Sequence, residues 1–170
     1  MKKYQGIIFS VLSGIVILAG LYWVSRLNSA PSEPVEANAV SSIGALSVEE
    51  SSFDFGNISM AKGKVSHIFK VKNTGSEAVV LSKLYTSCMC TIASLKNGGS
   101  EQGPFGMLGH GYVPSFKEVL SPGGEAEVEV VFDPAAHGPA GVGKISRVVS
   151  LENNSKGGQL DIEISANVTP

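Results

Sequence analysis

From Ala45 onward, short runs of alternating apolar and polar residues follow one another, separated by turn chemistry. The clearest is Leu160-Asp161-Ile162-Glu163-Ile164-Ser165-Ala166-Asn167-Val168, in which five apolar residues alternate strictly with polar ones. In Glu125-Ala126-Glu127-Val128-Glu129-Val130-Val131-Phe132, Ala126, Val128, Val130 and Phe132 share one face and the glutamates take the other. A strand puts successive side chains on opposite faces, so this period of two predicts half-buried strands. Asp133-Pro134 ends that run, because proline cannot donate to a sheet ladder. Further strands are expected at residues 46–48, 53–57, 65–71, 78–84 and 145–151, with turns such as Asn73-Thr74-Gly75 and Pro122-Gly123-Gly124 between them. No helical period of useful length occurs after residue 40. About seven short strands, each with one apolar face, predict an all-β, immunoglobulin-like sandwich over residues 45–170.

The first 44 residues follow another pattern. Lys2 and Lys3 precede an uncharged run over residues 6–25, about 20 residues and long enough to span a bilayer as a helix. Tyr4 and Tyr22-Trp23 stand at its two ends, where interfacial aromatics sit. Residues 1–26 are therefore expected to form an N-terminal transmembrane anchor. A cleaved signal peptide is the alternative, but its apolar core is usually shorter, at about 7–15 residues, and no small-x-small site closes this run. Two lysines before the span against Arg26 after it favour a cytoplasmic N-terminus, which puts the domain on the extracytoplasmic side of a single-pass membrane protein. Residues 27–44 contain no aromatic residue and read as a flexible linker.

Five motifs occur in order within the β-patterned region: Phe53-Asp54-Phe55-Gly56-Asn57-Ile58, Phe69-Lys70-Val71-Lys72-Asn73-Thr74-Gly75, Ser87-Cys88-Met89-Cys90-Thr91, Ser121-Pro122-Gly123-Gly124 and Val131-Phe132-Asp133-Pro134. Their order resembles the bacterial domain-of-unknown-function family 1573, immunoglobulin-like domains related to the ciliary Hydin/ASH type. The resemblance covers roughly residues 45–168 and implies fold and export, but no established activity. Two departures stand out. The family's usual Cys-Gly-Cys is Cys88-Met89-Cys90 here, and a glycine-rich insert at about residues 96–116 follows it.

Charged residues make up 16% of the chain and the net charge is −2, so composition gives no reason to expect nucleic acid. Cysteine usage is more informative. Cys88 and Cys90 are the only two cysteines and lie one residue apart. An exported domain stapled by a disulfide spaces its cysteines widely, whereas a Cys-x-Cys disulfide closes a small, strained and readily reduced ring. Two adjacent thiols suit a soft metal or a reactive thiol pair better. Two of the three histidines, His110 and His137, lie in glycine-flanked loops, and the insert adds Met107. Cys88, Cys90, His110, His137 and Met107 together mix sulfur with imidazole, a set suited to copper(I) or another thiophilic ion.

Each residue also has a structural reading. The cysteines fit packing positions at a strand end, Met107 fits a plug beneath the insert, and His110 and His137 fit loop-bracing hydrogen bonds. His67 shares a strand face with Val65, Phe69 and Val71 and reads as a structural histidine. Tyr112 and Phe116 are expected to pack the insert down. No nucleophile elbow, phosphate-binding glycine loop or carboxylate pair is present, so no enzyme is expected. Three functions remain: soft-metal carriage or sequestration at a Cys/His/Met rim site, a cell-surface module that binds a protein partner without metal, and a thiol–disulfide pair. No basic residue flanks the cysteines in sequence to activate the last of these.

Overall fold

The computed structural model of the protein describes residues 44–170. Among these residues ten strands form two five-stranded sheets, three strands more than expected. In chain order they are β1 (Leu46–Val48), β2 (Ser52–Ser59), β3 (Val65–Asn73), β4 (Val79–Thr86), β5 (Thr91–Asn97), β6 (Ser100–Phe105), β7 (Glu118–Leu120), β8 (Glu125–Phe132), β9 (Gly143–Asn153) and β10 (Gln159–Thr169). The first sheet runs β1-β3-β8-β5-β6, antiparallel throughout. The second runs β2-β10-β9-β4-β7, with β2 and β10 parallel and the other pairs antiparallel.

The three strands missed by the pattern are β5, β6 and β7. In β5 the buried positions are filled by Thr91, Ala93 and Leu95, a weak apolar signal. The strand β6 contains Gly103 and Pro104, and β7 is only three residues long. The insert is thus partly a hairpin, with β6 returning along β5. Phe116 packs it down by stacking on Phe105, with ring centroids 5.5 Å apart, whereas Tyr112 is 90% exposed and packs nothing down.

The alternating faces meet in one core. Phe69, Val71, Leu95, Val128 and Val130 from the first sheet close against Leu81, Leu84, Val149, Leu151, Ile162 and Ile164 from the second, all essentially without exposure. Burial of this apolar surface is the main force holding the sheets together. The outward glutamates of β8 carry ion pairs, Glu125 with Lys72 and Glu129 with Lys96, each at 2.7 Å. His67 is structural, as expected: it stacks on Phe53 at 3.6 Å and bonds Glu50 at 3.0 Å.

The expected anchor at residues 1–26 and the linker at 27–44 fall outside the described residues, except for Gly44. That residue is buried, and a Cβ there would lie 2.6 Å from Val79 Cγ2. Among the described residues no helix is long and apolar enough to cross a membrane.

Asn73, at the end of β3, is fully buried and joins three segments. Its Nδ2 donates to the carbonyls of Glu77 (2.7 Å) and Leu120 (2.9 Å), and its Oδ1 accepts from the Gly75 N–H at 3.0 Å. Truncating it removes a donor from the buried Leu120 carbonyl and the partners of two part-buried groups, the Glu77 carbonyl and the Gly75 N–H. Asn73→Ala is expected to cost about 2–3 kcal/mol in urea unfolding with an unchanged m-value.

Candidate metal and thiol site

The two cysteines lie where the chain changes sheets. β4 belongs to the second sheet and ends at Thr86; β5 belongs to the first and starts at Thr91. Only residues 87–90 make the crossing, and their backbone is tied down on both sides. The Ser87 N–H donates to the Val148 carbonyl at 2.8 Å, and Ser87 Oγ accepts from the Val148 N–H at 2.9 Å. The Thr91 N–H closes a turn on the Cys88 carbonyl at 3.1 Å. Thr86 Oγ1, 2% exposed, lies 3.0 Å from the Cys88 carbonyl and 2.9 Å from that of Thr91, so its one proton is shared between them.

His137 arrives on the second crossing, between β8 and β9. The Asp133 N–H donates to the Cys90 carbonyl at 2.8 Å, which joins the two crossings at one rim of the sandwich. Asp133 Oδ1 then accepts from the Ala135 N–H at 2.9 Å and turns the chain. Gly138, at φ +56°, takes the left-handed conformation that lets a 3-10 turn over Gly138–Gly141 follow His137. A Cβ on Gly141 would sit 3.2 Å from the His137 Cβ, so glycine there lets the turn close against the histidine.

These constraints gather Cys88, Cys90 and His137, with their potential ligand atoms within 4.8 Å of one another. Cys90 Sγ donates to Cys88 Sγ at 2.8 Å, and Cys88 Sγ lies 3.1 Å from His137 Nε2. The cysteines are unequal. Cys90 is 3% exposed and part of the core cluster, Cys88 is half-buried, and His137 is exposed. His110 does not join them: it is exposed, and its backbone N–H bonds the Met107 carbonyl at 3.2 Å. Met107 reaches the crossing by its backbone, in an isolated bridge to Thr86, and its side chain is half-buried. Met89 is 56% exposed at the tip of the turn.

Arg147, which the sequence reading missed, is the fourth member of the cluster. Its Nε donates to Cys90 Sγ at 3.2 Å. The thiol pair therefore does have a basic neighbour, supplied by a strand 57 residues away rather than by flanking sequence. No sequence signal marks it: the register of β9 presents Arg147 beside Val148, the residue to which Ser87 is fastened.

This environment splits the two thiols. Partial burial pushes the Cys88 thiol up, but hydrogen bonds from the Cys90 side chain and backbone and from His137, together with the Arg147 charge, outweigh it and bring it down to about 7. Burial and the hydrogen bond to Cys88 push Cys90 up, against the opposing pull of Arg147. Around neutral pH the half-exposed Cys88 is thus the member of the pair that ionises, beside a buried Cys90 that holds its proton.

Alkylation of Cys88 by iodoacetamide is expected to reach half its plateau rate near pH 7 rather than near the unperturbed 9.0, because only the thiolate reacts and its fraction rises with pH. Arg147→Met is expected to move that midpoint upward. Thr86→Val keeps the shape of Thr86 but removes the hydroxyl from the Thr91 carbonyl and leaves the Cys88 carbonyl with the Thr91 N–H alone. It is expected to lower unfolding stability by about 1–3 kcal/mol and to speed alkylation of Cys90 as the turn loosens.

No curated protein matches the chain. Among solved structures, a protein of unknown function from Porphyromonas gingivalis W83 superposes with a TM-score of 0.53 at 16% identity, over 73% of this chain and 46% of that one. The ASH/PapD-like domain 7 of human CEP192 gives 0.44 at 14% identity, over 82% and 96%. The secreted serine protease VesC of Vibrio cholerae gives 0.48 at 15%, over 74% and 24%. The chain spans less than half of the Porphyromonas protein, and at that identity the match shows the shared β-sandwich alone. Residues 46–109, from β1 through both cysteines to the loop bearing Met107, match the model of the family described as a protein of unknown function, DUF1573, whose motif order the sequence resembles.

Proposed function

We propose that this protein is a membrane-tethered, extracytoplasmic immunoglobulin-like domain that binds a soft metal ion, copper(I) before zinc, for carriage or sequestration. One observation carries the reading: two thiol sulfurs and an imidazole nitrogen within 4.8 Å of one another on a half-open rim. Thiolate and imidazole donors select copper(I) and zinc over hard cations. A structural zinc site takes four protein ligands. Among the described residues no fourth histidine, cysteine, aspartate or glutamate joins the three, which suits the lower coordination number of copper(I). Cys88 and Cys90 would be the main ligands and His137 would complete the set; because the two sulfurs touch at 2.8 Å, the half-exposed Cys88 would have to move away from the core-anchored Cys90 to admit the ion. With His137 on the exposed side, the ion would stay within reach of a donor or acceptor. Export and the membrane anchor rest on the apolar run at residues 6–25.

Full-length protein, purified reduced and free of oxygen, is expected to take up one equivalent of copper(I) against a competing chelator. Binding should be lost in Cys88→Ser/Cys90→Ser. It should weaken roughly 10- to 100-fold in His137→Ala, the scale on which even the supporting partners of a ligand matter, and stay unchanged in His110→Ala. Binding no tighter than that of the double serine variant would overturn the proposal.

A further inference from the structure

Cys88 opens onto a groove between the His137 turn and β9, with a volume of about 590 Å³. Ser87, His137, Lys144, Ser146 and Arg147 line it beside the sulfur. The size lies within the range that holds a small organic molecule. Its charge is one-sided: two cations and no carboxylate among the lining residues. Two carboxylates lie beyond its lining, Glu163, which accepts the Ser146 hydroxyl at 2.5 Å, and Asp54, which shares a neighbouring pocket with Lys144; no salt bridge to Lys144 or Arg147 occurs among the described residues. Cys90 does not line this groove. It sits behind Cys88, 3% exposed, with its sulfur 2.8 Å from the first.

One accessible sulfur with a second buried at contact distance is the arrangement that disulfide exchange needs. We propose that Cys88 is the attacking thiol and Cys90 the resolving thiol in exchange with small disulfides that carry carboxylates, held in this groove by Lys144 and Arg147. In the first step the Cys88 thiolate attacks one sulfur of the small disulfide. A Cys88–substrate S–S bond forms, the substrate's own S–S bond breaks, and one thiolate leaves and takes up a proton. In the second, the Cys90 thiol loses its proton to water and attacks Cys88 Sγ. The Cys88–Cys90 bond forms and the second substrate thiolate departs. The protein dithiol is oxidised by two electrons and the small disulfide is reduced to two thiols; the reverse steps run the exchange backward. No metal takes part, so this proposal stands or falls apart from copper binding.

The test uses full-length protein, reduced and stripped with chelator, and follows intact mass with three probes: oxidised glutathione (anionic), 2-hydroxyethyl disulfide (neutral) and cystamine (cationic). Cys90→Ser should trap a mixed disulfide on Cys88, whereas the wild type should pass to a product lighter by two hydrogens with no adduct retained. The anionic probe should outpace the cationic one by about five- to tenfold at low salt, the scale of one or two charge contacts near the surface. That ratio should collapse in Lys144→Glu and in high salt. Circular dichroism confirms that each variant is folded. Equal rates for the three probes, adducts that form on Cys90 in Cys88→Ser as fast as on Cys88, or an adduct that persists in the wild type would each overturn the proposal.

Discussion

The site depends on a constraint of chain geometry: the polypeptide must leave one sheet and enter the other within the four residues between Thr86 and Thr91. Such a short crossing at the edge of a dry core leaves backbone carbonyls facing inward, where an unmet acceptor is costly. The buried Thr86 hydroxyl serves two of them, and the Asp133 N–H serves a third, on Cys90. Satisfying these groups holds Cys88 and Cys90 on the same side of the turn and draws the next inter-sheet loop against them. The positions of the sulfurs are thus a by-product of how the backbone meets its hydrogen-bonding needs, which makes the site as rigid as the rim itself.

The division of labour between the cysteines follows from depth. Cys90 belongs to the core, beside Phe132 and Ala93 in the same cluster, and Cys88 stands one turn further out. Burial alone would keep both thiols protonated; hydrogen-bond donors and the guanidinium of Arg147 overcome that penalty only at the outer one. A half-exposed thiolate next to a protected thiol can close on a metal ion or on another sulfur, and the groove beside it determines what approaches.

Much of the sandwich was legible because the strands that close its core keep a strict period of two. β8 and β10 bury every second residue as their sequences announce. β5, β6 and β7 were hidden because short length, small buried side chains and an internal Gly103-Pro104 erase that period. In the site, Cys88, Cys90 and His137 were readable as candidate donors from chemistry alone, but their convergence was not, since it comes from two inter-sheet loops meeting at one rim. His110 looked equivalent to His137 in its glycine setting, yet the hairpin of β5 and β6 carries it elsewhere. Arg147 gave no local sign at all. Its role comes from the register of β9 against the crossing, a long-range pairing that no spacing in the sequence encodes.

The sandwich contains no covalent cross-link: its only cysteines sit together at the rim, and both are free. Its cohesion comes from apolar packing between the sheets and from ladders and polar joints such as Asn73, nearly all of it made by residues other than the two cysteines. The architecture therefore separates durability from chemistry. Changes in the oxidising power of the surroundings reach Cys88 and Cys90 and can alter what they hold, while the scaffold that presents them is left as it was.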